Sequence, residues 1–123
     1  MRLECLNDGG TDLTLSARLR ALHDGLHPEV KEKLGIDPER WAGWATWARN
    51  HVAHGGANAW RQIRDTVELH IVAESVHLVT YLNALQELAV PPATVLDALH
   101  NHPRLSTLAD RCAEVNDLGE PTP

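Results

Sequence analysis

Asp37-Pro38-Glu39-Arg40-Trp41-Ala42-Gly43-Trp44-Ala45-Thr46-Trp47-Ala48-Arg49-Asn50-His51-Val52-Ala53-His54-Gly55 is the stretch on which the fold turns. Asp37 is suited to cap the free amides of a helix, and Pro38 falls at the first helical position, where its missing donor does no harm. Trp41, Trp44, Ala45, Ala48 and Val52 then recur with the spacing of one buried helical face, and Gly55-Gly56 supply a left-handed stop. A helix is therefore predicted over 38–54. Trp47 falls off that stripe and is expected to be a half-buried structural residue.

Downstream, the chain runs from Asn58 to Ala89 without Gly or Pro, which predicts a helix of about 30 residues and about 45 Å. Ile63, Val67, Ile71, Leu78, Leu82, Leu85 and Leu88 trace its apolar stripe, while Val72, Val76 and Val79 widen it beyond the needs of one surface helix. A second subunit would account for that width. Pro91-Pro92 ends this element, a short helix follows to Ala98 or Leu99, and Asn101-His102-Pro103 separates it from a last, weak helix over 105–114. Upstream, Leu15, Leu19, Leu22 and Leu26 predict an amphipathic helix to about Gly25, capped by Asp12 or Thr14 and carrying Arg18, Arg20 and Asp24 on its polar side. Pro28 starts a short helix through Lys33 that Gly35 terminates. Residues 1–11 are expected to form an arm, 12–114 one domain and 115–123 a disordered tail. With no strand signal, the fold class is all-α: a compact bundle of about five to six helices with a long central one.

Composition bounds the function. Among 123 residues, 43% are hydrophobic, but there is no Phe and one Tyr, so Leu, Val, Ile and Ala with four Trp must build the core. A net charge of −6 argues against coating the whole surface with a polyanion and restricts any nucleic-acid site to a local patch. Cys5 and Cys112 have neither disulfide-framework nor zinc-finger spacing, and neither a signal peptide nor a membrane span is legible. A reduced, cytoplasmic setting is expected.

The chemistry concentrates at the end of the helix over 38–54. Arg49 and His54 are five positions apart and project roughly 140° from one another, whereas Asn50 and His54 are i, i+4 neighbours, so Asn50 is placed to orient the imidazole. A guanidinium is a fixed fork for phosphate oxygens, and an imidazole exchanges a proton near neutrality. In RNA the 2′-hydroxyl is an internal nucleophile beside the scissile phosphate, so an acid, a base and a charge stabiliser suffice without a metal. One Arg and one His are few for that work. A symmetric dimer that joins two such helix ends in one cleft doubles them.

Arg49-Asn50-His51-Val52-Ala53-His54 resembles the Arg-x(4–6)-His motif of HEPN domains in its Arg-Asn-x-x-x-His form. The wider stretch from Trp47 to Gly55, with the long helix after it, is similar to the HEPN domain of ApeA-like proteins, and the likeness covers roughly 13–110. The resemblance implies a homodimer with paired motifs in a shared cleft and metal-independent endoribonuclease activity that leaves a 2′,3′-cyclic phosphate, in toxin or antiviral defence. Arg49 and His54 match the catalytic pair and Asn50 the polar position after the Arg. It also implies an alternative, since some members serve only as RNA-binding or dimerising modules of a larger sensor, and an antitoxin or fused sensor domain is an expected partner.

Plainer explanations stand beside each of these. Arg and His near a helix C-terminus are favoured by the macrodipole alone. His51 is a candidate RNA contact or a solvated histidine. Arg40, Arg61 and Arg64 flank the motif, so residues 38–64 hold four Arg against Glu39, a local +3 that suits phosphate or is ordinary helix surface. Glu74-x-x-His77, with His70 one turn earlier, has the spacing of half a carboxylate-bridged metal site, but the second half is missing and no metal or cofactor is expected.

Overall fold

The computed structural model describes residues 14–54 and 62–118, and the side chains of all of these except 51–54 and 62–65. Among the described residues there are six helices and no strand: α1 (Leu15–Asp24), α2 (Pro28–Leu34), α3 (Pro38–His54), α4 (Gln62–Glu87), α5 (Pro92–Asn101) and α6 (Pro103–Asn116). The fold is the expected all-α bundle. The arm over 1–11 and the tail over 119–123 lie outside the described residues, as do Gly55, Gly56 and the proposed helix start at Asn58.

The helix ends follow local chemistry. Thr14 caps α1, its Oγ1 accepting from the Ala17 amide at 3.1 Å. Pro28 opens α2, and Gly35 closes it in the left-handed region at φ 65°, its amide donating to the Lys31 carbonyl. Asp37 caps α3, with Oδ1 accepting from the amides of Glu39 at 3.1 Å and Arg40 at 3.3 Å. The long helix stops at Glu87, before the prolines. Ala89 takes φ 63°, and the amides of Ala89 and Val90 donate back to the carbonyls of Gln86 and Leu85. That is a Schellman stop built on alanine rather than glycine.

Trp41 and Ala42 are fully buried, Trp44 and Ala45 nearly so, and Trp47 is half-buried as predicted, its ring edge-on to Trp44 at 5.1 Å. Trp41 Nε1 donates to Ser75 Oγ at 3.0 Å, and Ser75 Oγ donates to the Val72 carbonyl at 2.6 Å. This bond locks α3 against α4 in one axial register.

The apolar stripe of α4 is rotated from the expected one. Val72, Ser75, Leu78, Val79 and Leu82 are buried, whereas Val67 is 56% and Leu88 75% exposed. Val72 and Val79, read as widening the stripe, are its centre. On α1, Leu22 is 37% exposed and His23 takes the inward position, its ring 6.4 Å from Trp41. Leucine spacing alone hid this shift, because histidine is apolar enough across its ring to fill a core site.

The last helix is neither weak nor followed at once by a tail. α6 buries Leu108, Cys112 and Val115 in the core and reaches Asn116. Asn116 Oδ1 accepts from the Asp37 amide at 3.0 Å, and its Nδ2 donates to the Gly35 carbonyl at 2.7 Å. The boundary expected at residue 115 is thus corrected, since this end of α6 holds the turn between α2 and α3.

Candidate functional site

The motif sits on the last turns of α3, and α3 remains helical through His54. The five-residue offset therefore carries Arg49 and His54 roughly 140° apart around the axis and about 7.5 Å along it. Arg49 and Asn50 are both exposed. Their turn is braced from behind by the Trp44 and Trp47 ring pair and by half-buried Ala48. A solvent-facing guanidinium on a braced helix costs little to hold in place and remains open to an anionic ligand. The C-terminal dipole of α3 favours positive charge at the same end.

The other predicted contacts divide. Arg40 is half-buried near the start of α3, and its Nη1 donates to the Asn116 carbonyl at 3.3 Å. Fourteen residues separate it from His54, about 21 Å along the helix, so the structure does not bring it to the motif. Arg64 falls in the first turn of α4, on the same end of the helix pair as His54, and its side chain lies outside the described set, like those of His51 and His54; Arg61 is outside the described residues altogether.

Glu74 is not laid out as a metal ligand. Its carboxylate meets His70 Nε2 at 3.0 Å, Arg104 Nη2 at 3.0 Å and Arg111 Nε at 3.3 Å, and Arg111 also holds Glu114 at 2.9 Å. Burial by itself would raise the Glu74 carboxyl, but the hydrogen bond from Arg111 and the charges of His70 and Arg104 outweigh it and hold the group below its usual range. Two guanidinium groups and an imidazole occupy the oxygens that a cation would need. His77 points to solvent. Cys112, in the core, has its thiol pushed up to about 12 by burial and is not a nucleophile.

Residues 4–94 match the family model described as Apea-like HEPN. The chain belongs to the Apea-like HEPN family. The match spans the motif, α3 and α4 and ends within α5, so α6 and its ties to Glu74 and Asp37 lie beyond the matched region. No curated protein and no solved structure matches the chain. No helix among the described residues is long and apolar enough to cross a membrane.

Sequence reasoning missed four residues: His23, Ser75, Glu68 and Asn116. Glu68 is 9% exposed on the core side of α4. Its signal is in the sequence, since 68, 72, 75 and 79 follow helical spacing, but a carboxylate and a serine add nothing to an apolar stripe.

Proposed function

We propose that this HEPN domain is a metal-independent endoribonuclease that works as a homodimer in toxin or antiviral defence, in the cytoplasm. Arg49 stabilises the charge that develops on the phosphorane. His54 serves as general acid or base, and Asn50, one turn before it, orients the imidazole. The 2′-hydroxyl attacks the adjacent phosphorus, the 5′-oxygen leaves with a proton, and a 2′,3′-cyclic phosphate remains. His51, Arg61 and Arg64 are the phosphate contacts in this proposal. An antitoxin or fused sensor domain is the expected restraint.

The observation that carries it is the exposed Arg49 on a helix that runs unbroken to His54 in a chain of this family. Two groups 140° apart on one rod do not converge on one phosphate, and a twofold partner supplies the missing half of each site. The outward side of α4, with Val67 and Tyr81 exposed and Leu88 exposed just past its end, supports association of two chains. The same surface supports the second reading, a noncatalytic dimerisation or RNA-binding module of a larger system.

Mixed RNA incubated with the protein in excess EDTA tests the enzyme. Cleavage in EDTA with cyclic-phosphate ends, abolished in Arg49→Ala and His54→Ala, is the expected outcome. Cleavage that EDTA removes, or that both variants keep, refutes it. A stable dimer without cleavage establishes the second reading instead.

A further inference from the structure

The outward side of α4 carries a line of side chains with no fixed charge. His70, Ala73, His77, Tyr81 and Ala84 are all exposed and fall within about 80° of arc, away from buried Val72, Ser75 and Val79. Leu88, 75% exposed just past the helix end, extends the line. No Lys or Arg occurs from 66 to 88, and no Asp or Glu stands on the line. Glu74, the carboxylate beside it, is held by Arg104 and Arg111. Thr80 commits its hydroxyl to the Val76 carbonyl at 2.8 Å. An exposed face of this length without fixed charge marks a docking surface, and its lack of cations excludes a phosphate backbone as the occupant.

The order of residues along the line selects a second copy of the chain. The steps from His70 through Ala73, His77 and Tyr81 to Ala84 are 3, 4, 4 and 3 residues, which read the same in both directions about His77. Two copies of α4 laid antiparallel on a twofold axis at His77 bring Ala73 opposite the partner's Tyr81 and Ala84 opposite the partner's His70. Leu88 then comes to the level of the partner's Thr66. A large side chain meets a small one at each of these levels, which is what two helices need to interdigitate at close range, and no like charges are forced together. An axis at Ala73 or at Tyr81 sets the same residues against positions that are off the line.

We propose that two copies of the chain pair through this line, α4 against α4 and antiparallel, with the twofold axis at His77. The pairing goes beyond the ribonuclease reading and does not rest on it. Gln62 and its copy mark the two motif ends and lie about 45 Å apart in this register, so this contact is separate from one that joins two motifs. Single cysteines test the axis in a Cys5→Ser background, with buried Cys112 kept. Under mild oxidation His77→Cys should cross-link to itself, because a disulfide needs Cα atoms within about 7 Å. Ala84→Cys lies about 21 Å along the axis from its own copy and should not cross-link. Ala73→Cys mixed with Tyr81→Cys should give a mixed dimer that neither gives alone. Adding Ala73→Arg, a change at an exposed position, to His77→Cys should cut the rate of cross-linking about tenfold or more with the circular dichroism spectrum unchanged. The pairing is overturned by a wild type that sediments as a monomer at its highest soluble concentration, or by Ala84→Cys cross-linking as well as His77→Cys. A wild type that cuts no RNA but cross-links at His77 removes the ribonuclease reading and leaves the pairing standing.

Discussion

Ser75→Ala tests the register on which the site geometry depends. Trp41 and Ser75 are both fully buried and joined at 3.0 Å. The substitution removes one oxygen and leaves the buried indole N–H without its acceptor. A buried donor left unsatisfied costs about 1–3 kcal/mol. The second bond, from Ser75 to the Val72 carbonyl, adds little, because that carbonyl is also a helix acceptor. Taking about 2 kcal/mol and a urea m-value near 2 kcal/mol/M, the midpoint should fall by about 1 M with m unchanged. Trp41→Phe costs stability of its own through the cavity it leaves, but in that background Ser75→Ala should cost less than about 0.5 kcal/mol, since no donor remains to be orphaned. Urea titrations of the four proteins, followed by far-UV circular dichroism, close the cycle. A Ser75→Ala cost that is the same with Trp or Phe at position 41 would refute the argument.

Ala89→Gly should stabilise the domain by about 1 kcal/mol in the same assay, because Ala89 sits at φ 63° where a side chain is strained. Asn116→Ala should destabilise by about 1–2 kcal/mol by releasing the Asp37 amide and the Gly35 carbonyl, a loss that a dispensable tail would not produce. Glu74→Gln should alter the acid limb of stability. The folded Glu74 carboxyl lies below its ordinary value, so its contribution is fully present above the unfolded carboxyl range and is lost as pH falls through the lower folded value. Thermal midpoints between pH 7 and pH 3 should therefore fall more steeply in wild type than in the variant. Parallel curves would show that the cluster of His70, Arg104 and Arg111 does not stabilise the ionised form.

Much of the fold was legible because helices announce themselves by caps and periodicity. Asp37-Pro38 and Gly35 are local signals and mark the ends of α2 and α3 where the structure has them. What went unread depends on distant partners. His23 is buried because Trp41 lies beside it, and Ser75 because an indole needs an acceptor, and neither condition exists within one helix. Glu87 ends α4 through a left-handed alanine, a position at which glycine is the usual signal. Asn116 looked like the start of a tail because its role is spent on a turn nearly eighty residues earlier. The motif is legible as a spacing, on a helix that runs through His54 and leaves Arg49 exposed. Arg40 was grouped with it by proximity in sequence, and helix rise carries it to the other end.

The central claim is that Arg49 and His54 act across two chains, and complementation tests it most directly. Arg49→Ala and His54→Ala, each inactive alone, are unfolded together, refolded as a mixture and assayed for RNA cleavage in EDTA. A mixed dimer keeps one intact pair, Arg49 from one chain and His54 from the other, and mixed dimers form half of a random population. Cleavage should return to about a quarter of the wild-type rate. A mixture as inactive as its components, with mixed dimers shown to be present by mass spectrometry, would contradict the account.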